Sequence, residues 1–279
     1  MSFNPDTHLC FSPPESKTPI SSFGMSSELS PIAYSSAFPL FTLKALEEMR
    51  REVMSPGVWQ HCKKYNADKT QMHLRGMCPN LAPFITAAWK HPLVLEALSS
   101  VAGIGLEPII DYEIGETHIQ QPNASIVQGW HRKPYPFLCI IMLSPNIEIG
   151  GEILIQDNRG RLYTLEPPKQ GYAILIQSRL LQMMSVASKN GAERITMSTA
   201  FTLSDPRIFD DSSLNLARPL SNPNELYTQW VFYRFGKIER LLHSLSSEIQ
   251  ESGRIDKEKF RAACDRIKGY LTATYNEIR

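Results

Sequence analysis

The chain has 279 residues, of which 42% are hydrophobic and 20% are charged, so it can bury a sizeable core as one large domain or two small ones. A formal net charge of +1 gives no field that attracts nucleic acid or an anionic membrane, and neither is an expected partner. The five cysteines are odd in number and form no Cys-x-x-Cys pair, which favours reduced thiols and a cytoplasmic location. The sequence shows no secretory signal and no apolar run approaching ~18 residues.

Residues 1–38 are rich in serine and proline, as in FSPPESKTPISS and SSELSPIAYSS. This composition predicts a segment that does not pack as a regular element. Two interpretations stay open, an arm or lid over the rest of the molecule and a plain N-terminal tail. Residues 39–279 are predicted to form a single domain.

Residues 42–100 carry a helical pattern. The run TLKALEEMRREVM follows a candidate N-cap, Thr42, with Leu43, Leu46 and Met49 at three-residue spacing. The later run APFITAAWKHPLVLEALSSVAG contains two helical stretches divided by Pro92. These helices are expected to flank the core.

The pattern shortens to β runs between residues 106 and 203, among them PFLCIIMLS, GEILIQD, GYAILIQ and ERITMSTAFTL. Turn signals recur every roughly 8–15 residues with no helix between them, which predicts an antiparallel sandwich or barrel. Residues 223–279 then hold two amphipathic helical runs. Their apolar stripes are expected to pack on the β core or on a second subunit.

Five fragments in a fixed order carry a resemblance: WHRKPYPF, MLS, GGE, QSRLLQM and ERIT. Together with the two closing helices, they resemble fungal iron(II)/2-oxoglutarate-dependent dioxygenase-like proteins of natural-product biosynthesis, from about Phe38 onward. The resemblance implies a mainly β fold with α flanks, whose core is a double-stranded β-helix, or jelly roll.

The departures from the family pattern fall on the metal ligands. A non-haem iron oxygenase holds Fe(II) with two histidines and one carboxylate. By the resemblance His131 matches the first histidine, but Lys133 replaces the carboxylate and Met183 replaces the distal histidine. An imidazole, an ammonium and a thioether do not make an Fe(II) site, so we expect no catalytic metal and no cofactor.

A rebuilt metal site is the less favoured alternative. His118 and Glu116 alternate by two and therefore share a strand face, where they could join His131 in an active dioxygenase. The simpler interpretation is that His118 is a hydrogen-bonded side chain that lines the pocket.

Several polar groups match the family's ligand pocket. Arg194 in GAERITM falls where the family places the arginine that grips the distal carboxylate of 2-oxoglutarate, and a guanidinium suits that bidentate task. Pairing of Arg194 with a buried glutamate is equally open. Gln177 and Arg179 remain from the family's QGR run, either as pocket groups or as supports of the barrel mouth. Further candidate substrate-binding residues are His118, Gln120, Trp130, Tyr135, Phe137 and Met183.

A pocket without metal can still promote non-redox reactions by positioning and proton transfer. Lys133, set beside Trp130, Tyr135 and Phe137, would have its ammonium form disfavoured by desolvation, and His131 could share acid/base work with it. The predicted function is therefore a cyclisation, isomerisation or elimination of a hydrophobic secondary metabolite, with Lys133 and His131 as catalytic residues. A structural salt bridge of Lys133 is the alternative.

A non-catalytic role forms the competing prediction. A chain that has lost its metal can persist as the partner or scaffold subunit of an active dioxygenase, in a homodimer or heterodimer. The run YTQWVFYRFGKIERLL has more apolar residues than one thin helix usually exposes, namely Tyr227, Trp230, Val231, Phe235, Ile238 and Leu242. Packing within the monomer explains most of them equally well.

Overall fold

Seven helices and fourteen strands are found in the part of the chain that the computed structural model describes, residues 2–27, 29–65, 72–120, 126–145, 149–157, 159–189 and 193–279. The helices are α1 (Pro5–His8), α2 (Leu43–Val53), α3 (Pro56–His61), α4 (Pro83–Lys90), α5 (Pro92–Ala102), α6 (Pro223–Ser252) and α7 (Lys257–Asn276). The strands are β1 (Lys17–Pro19), β2 (Ile32–Ser35), β3 (Phe38–Pro39), β4 (Lys63–Tyr65), β5 (Met72–Leu74), β6 (Leu106–Pro108), β7 (Glu116–Ile119), β8 (Ile126–His131), β9 (Phe137–Met142), β10 (Ile153–Gln156), β11 (Leu162–Leu165), β12 (Tyr172–Ile176), β13 (Gln182–Val186) and β14 (Ile195–Leu203).

The strands form two antiparallel sheets. Within the described ranges, the larger sheet has the order β1-β2-β12-β9-β14-β7-β5-β4, with β3 also beside β12 and β6 beside β14. The smaller sheet has the order β11-β10-β13-β8. The chain alternates between the two sheets from β7 to β10 and again from β11 to β14. The predicted antiparallel β core with flanking helices is confirmed at this level.

Strand β9 separates two hydrophobic cores, because all of its residues are buried and alternate residues point to opposite faces. Cys139 and Ile141 pack with residues of the N-terminal helices, whereas Leu138 and Ile140 pack with residues of the smaller sheet. Phe137, predicted to line the substrate pocket, has the parity of Cys139 and lies in the helix-side core. Neighbouring residues of a strand point to opposite faces, so an error of one residue in position assigns a side chain to the wrong side of the sheet.

The N-terminal helices form where the pattern predicts them. The hydroxyl oxygen of Thr42 accepts a hydrogen bond from the backbone N–H of Ala45 at the start of α2, and Leu46 and Met49 are buried. Within the stretch predicted as helical, however, β4 and β5 form a hairpin, and β5 pairs with β7. Strands of three residues are too short to show a period, so pairing with β7 decides their conformation.

The Ser/Pro-rich segment is more regular than the sequence predicts. Strands β1 and β2 pair with each other, and β2 extends the larger sheet next to β12. The buried side chain of Gln177 donates from Nε2 to the carbonyl oxygens of Ser30 and Ile32, at 3.0 and 2.9 Å. The segment is thus fixed to the sheet edge by side-chain and backbone hydrogen bonds.

The two C-terminal helices end the chain as predicted. Trp230 of α6 is buried, and the Arg234 guanidinium lies between the rings of Trp230 and Tyr270, 4.0 and 4.2 Å from their centroids. This contact ties α7 to α6. Of the helices in the described residues, none combines the length and the apolar character that a membrane span requires.

Candidate active site

An outer cavity of about 240 Å³ lies beside β5, β7 and β8. One wall is charged or polar and consists of His73, Arg75, Glu113, Glu116, His131 and Lys133. The other wall is largely apolar and includes Trp130, Tyr135, Leu216, Ala217 and Leu220. The cavity therefore offers an amphipathic environment, which is typical of sites for small organic molecules.

Strand pairing brings the polar groups to this cavity. His73 on β5 lies directly opposite His118 on β7, and their rings meet edge to face with centroids 4.4 Å apart. Glu116 lies two residues before His118 and shares its face. Lys133 follows the end of β8, where His131 is the last strand residue.

A buried ion network occupies the charged wall. Lys133 Nζ lies 2.6 Å from Glu116 Oε2, and Arg75 Nη1 lies 3.2 Å from Glu116 Oε1. Arg75 also pairs with Glu113, which accepts a hydrogen bond of 2.6 Å from the Tyr135 hydroxyl. Two cations and two carboxylates alternate, so their charges cancel.

The network fixes charge states. Burial by itself would raise the pKa of Glu116, but Lys133 and Arg75 hold that pKa well below its usual range. Burial, followed by the charge of Glu113, raises the pKa of Tyr135 well above its usual range, so Tyr135 stays a neutral phenol. A structural salt bridge was the alternative role considered for Lys133. In the structure Lys133 forms such a salt bridge with Glu116.

His131 is held in place through one of its two ring nitrogens. Its Nδ1 lies 2.7 Å from the carbonyl oxygen of Gly129, so Nδ1 carries the proton and donates it. Its Nε2 is buried and has no hydrogen-bond partner among the described residues. Burial, together with the charge of Lys133, lowers the pKa of His131 to about 4, so the imidazole is neutral at ordinary pH.

Three potential metal ligands lie next to this network. Ligand atoms of His73, Glu116 and His118 are all within 4.8 Å of one another. They do not fit Fe(II), because each oxygen of Glu116 already contacts a cation, Lys133 on one side and Arg75 on the other. A divalent ion would add charge to a buried network that is already neutral.

The alternative metal site predicted from the sequence is not assembled as expected. In the group of possible ligands, His73 and not His131 joins Glu116 and His118. His131 instead faces Met183 across the β8–β13 pairing, where the two residues are direct neighbours in register.

A second, inner cavity lies between the two sheets. Its volume is about 20 Å³, and its lining includes His118, Lys133, Met183 and Arg194. This volume has room for about one or two particles of the size of water. Lys133 and Gln128 line both cavities.

Three other predicted site residues line neither of these cavities. Gln120 accepts a hydrogen bond from the backbone N–H of Ser188 at 2.8 Å, and Gln177 holds the N-terminal segment. Arg179 is half-buried and pairs with Asp211 at 2.7 Å. Hydrogen bonds or an ion pair hold the side chains of these three residues outside the two cavities. Phe137 also lies outside them, because its position in β9 turns it to the helix-side core. The residues that the structure does gather are His118, Trp130, His131, Lys133, Tyr135, Met183 and Arg194.

Sequence reasoning missed three members of the charged wall, His73, Arg75 and Glu113. His73 and Arg75 alternate with apolar residues in the run MHLRGM, a period-two signal that a helical interpretation of residues 42–100 concealed. Glu113 lies in the 3₁₀ turn Asp111–Glu113, which also contains the acid Asp111. A turn of three residues is too short to show a period, so no sequence pattern identifies Glu113.

Comparison with known proteins adds solved structures of low sequence identity. No protein-family model matches the sequence, and no curated protein matches it. A 2OG-Fe(II) oxygenase family oxidoreductase from Burkholderia pseudomallei is similar, with 14% identity and a TM-score of 0.44, over 57% of this chain and 77% of that one. The non-heme alpha-ketoglutarate-dependent epimerase SnoN of nogalamycin biosynthesis has 13% identity and a TM-score of 0.48, over 62% and 78%. AviO1 from Streptomyces viridochromogenes has 11% identity and a TM-score of 0.48, over 68% and 97%.

Proposed function

We propose that this chain is a metal-independent enzyme of the 2-oxoglutarate dioxygenase superfamily, with a jelly-roll core, that performs a proton-transfer reaction on a hydrophobic small molecule. The reaction class is isomerisation, cyclisation or elimination. We place the substrate among the secondary metabolites of a fungal pathway, in the cytoplasm. The observation that carries the proposal is the position of His131, which lines the outer cavity together with Lys133. Its imidazole is neutral, and its Nε2 has no hydrogen-bond partner among the described residues.

His131 acts in this proposal as the base. Its Nε2 takes a proton from a carbon next to a carbonyl group, and the Lys133 ammonium stabilises the negative charge that develops on the carbonyl oxygen. The proton on Nε2 then returns to another carbon or to a leaving group, so no oxidant is consumed. Lys133 serves in this proposal as an electrostatic group and not as the acid/base residue predicted from the sequence, because its Nζ donates a hydrogen bond to Glu116.

The apolar wall accounts for the preference for a hydrophobic substrate. Trp130 remains partly exposed at the cavity, and Leu216 and Leu220 also line it. Apolar rings or chains bind against these side chains, while the reacting carbonyl faces Lys133.

The test uses the metabolite that accumulates in a strain lacking this protein. Incubated with purified protein and a metal chelator, that compound should be converted without iron or 2-oxoglutarate. The His131→Gln variant should lose about 10²–10⁴ in rate, the usual contribution of general acid–base catalysis, and retain the wild-type melting temperature. The matched control, His243→Gln on the exposed face of α6, should keep full activity. Full activity of His131→Gln, or a strict requirement for iron, would reject the proposal.

A second candidate function is a partner or scaffold subunit, which exposed aromatic side chains on α6 favour. Phe232 is 71% exposed and Phe235 is 51% exposed, whereas Trp230 and Ile238 are buried and belong to the monomer core. This role predicts a homodimer or a complex with an active dioxygenase through α6. Sedimentation should then show an assembly that Phe232→Ser with Phe235→Ser disrupts. A chain that stays monomeric and binds no dioxygenase excludes this role.

A further inference from the structure

The segment that joins β14 to α6, residues 204–222, supplies the aliphatic part of the outer cavity. Leu216, Ala217 and Leu220 line this cavity, and of these Ala217 is buried whereas Leu216 is exposed. The regular structure of the segment is limited to the short 3₁₀ helix Arg218–Leu220. A stretch with so little secondary structure of its own takes its position from contacts with the rest of the molecule.

The two C-terminal helices hold the first part of this segment. The rings of Phe209 and Tyr270 on α7 stack with their centroids 4.1 Å apart and an interplanar angle of 14°. The Tyr270 hydroxyl lies 3.3 Å from Oδ2 of Asp210. Nη2 of Arg234 on α6 donates a hydrogen bond of 2.6 Å to the carbonyl oxygen of Ser212. Both helices therefore contact the segment before it reaches the cavity.

Glu277, which directly follows α7, holds the part of the segment that lines the cavity. Its Oε2 accepts hydrogen bonds from the backbone N–H of Leu214 at 2.7 Å and from Nη2 of Arg218 at 2.8 Å. Nη2 of Arg218 also donates to the carbonyl oxygen of Glu277 at 2.9 Å. These three hydrogen bonds lie on both sides of the lining residues Leu216 and Ala217 in the sequence.

The pair of Glu277 and Arg218 is partly withdrawn from water, with side-chain exposures of 23% and 20%. Charge-assisted hydrogen bonds are stronger than neutral ones, and a partly buried pair is screened less by salt than an exposed pair. The three bonds join α7 to the segment and not to a strand. Their loss should therefore loosen the segment while the β core stays folded.

We propose that Glu277 is a positioning residue of the outer cavity, which increases the affinity for the apolar part of a ligand by holding Leu216, Ala217 and Leu220 in place. A ligand that meets an ordered wall does not have to offset the entropy of ordering it. The inference rests on the proposed binding of a hydrophobic small molecule in this cavity, but not on the catalytic role of His131. The ligand class is a carbonyl compound with an aliphatic ring or chain.

The first experiment measures amide hydrogen exchange by mass spectrometry. In Glu277→Ala, peptides that cover residues 213–221 should exchange about ten- to a hundredfold faster, and peptides of β9 and β14 should keep their wild-type rates. Arg218→Met, which removes two of the three hydrogen bonds, should have the same local effect. Glu277→Gln keeps an acceptor oxygen and should restore most of the protection. The matched control, Glu251→Ala on the exposed face of α6, should change no rate in residues 213–221.

The second experiment measures the binding of cyclohexanone, a ketone with an aliphatic ring, through the methyl resonances of Leu216 and Leu220. In wild type both resonances should shift with the concentration of the ketone. The dissociation constant should rise about tenfold in Glu277→Ala and return toward the wild-type value in Glu277→Gln.

Two results would overturn the proposal. One is unchanged exchange of residues 213–221 in both Glu277→Ala and Arg218→Met, and the other is the absence of any response of the Leu216 and Leu220 methyl resonances to cyclohexanone. If the expected exchange and binding are found while His131→Gln keeps full activity, the positioning role of Glu277 is supported and the proposed catalysis alone is rejected.

Discussion

Glu116 is the residue on which the charged wall depends. Lys133 and Arg75 contact its two oxygens, and His73 Nδ1 and His118 Nε2 lie 3.4 and 3.7 Å from Oε1. A buried carboxylate is stable only when its partners stay in place, because its desolvation has to be offset by them. Removing a single partner of Glu116 should therefore lower the free energy of unfolding by more than the loss of one hydrogen bond would.

Replacement of Lys133 by methionine tests this dependence. Lys133→Met leaves Glu113 and Glu116 to share Arg75, with one buried negative charge uncompensated, so the free energy of unfolding should fall by about 3–5 kcal/mol. Urea denaturation measures the loss. Adding Glu116→Gln to the same variant should restore most of the stability. If Lys133→Met is as stable as wild type but inactive, Lys133 is an acid/base catalyst and not a fixed charge.

The pH dependence of stability should report the buried histidines. Burial, then the charge of His73, lowers the pKa of His118 to about 3, whereas the unfolded chain has a histidine pKa of about 6.5. Below about pH 6.5 the His118 imidazole binds a proton in the unfolded state but not in the folded state. The free energy of unfolding should therefore fall as the pH falls from about 6.5 toward about 3.

The His118→Gln variant removes this dependence. At about pH 4.5 the His118 contribution should reach about 2–3 kcal/mol, and the variant should show a correspondingly flatter decline between pH 7 and 4.5 in urea midpoints. His131, whose pKa is lowered to about 4, should supply the acid sensitivity that remains. Parallel pH profiles of wild type and variant would contradict the assignment of a neutral, buried His118.

At the scale of elements, long periodic segments were predictable and short ones were not. The β runs of residues 106–203 and the helices α6 and α7 follow from pattern alone, because each is long enough to show its period. The hairpin β4–β5 and the strands β1 and β2 are held by pairing with distant strands, which no local pattern encodes.

The side chain of Gln177 helps to attach β2, beside the backbone pairing with β12. Gln177→Leu removes both hydrogen bonds to the carbonyl oxygens of Ser30 and Ile32, of which the bond to Ser30 is buried. We expect a loss of about 1–3 kcal/mol and faster amide hydrogen exchange confined to β1 and β2. The exposed control, Gln250→Leu on α6, should change neither. Unchanged exchange in β2 would show that its backbone pairing with β12 suffices.

At the scale of the whole molecule, the site is assembled from parts of the chain that lie far apart. Arg75 and Glu113 are 38 positions apart in sequence, and β5 reaches the site only through its pairing with β7. The resemblance to the dioxygenase-like family located His131, Lys133 and Met183 because those residues lie within its motifs. It could not locate His73, Arg75 and Glu113, because their approach to Glu116 is a property of the tertiary fold.

The space between the two sheets should accept a metal ion once a carboxylate replaces the ammonium of Lys133 and an imidazole replaces the thioether of Met183. In Lys133→Asp with Met183→His, the ammonium that blocks the site is removed, and a second imidazole is introduced directly across from His131 in the β8–β13 register. Two imidazoles and a carboxylate suit Fe(II), so calorimetry under anaerobic conditions should detect Fe(II) binding in the double variant and not in wild type or in either single variant. Because Lys133 lines both cavities, the double variant should also gain affinity for 2-oxoglutarate at Arg194. A stable double variant that binds neither ligand would mean that the strand register, rather than the charge of Lys133, keeps this interior free of iron.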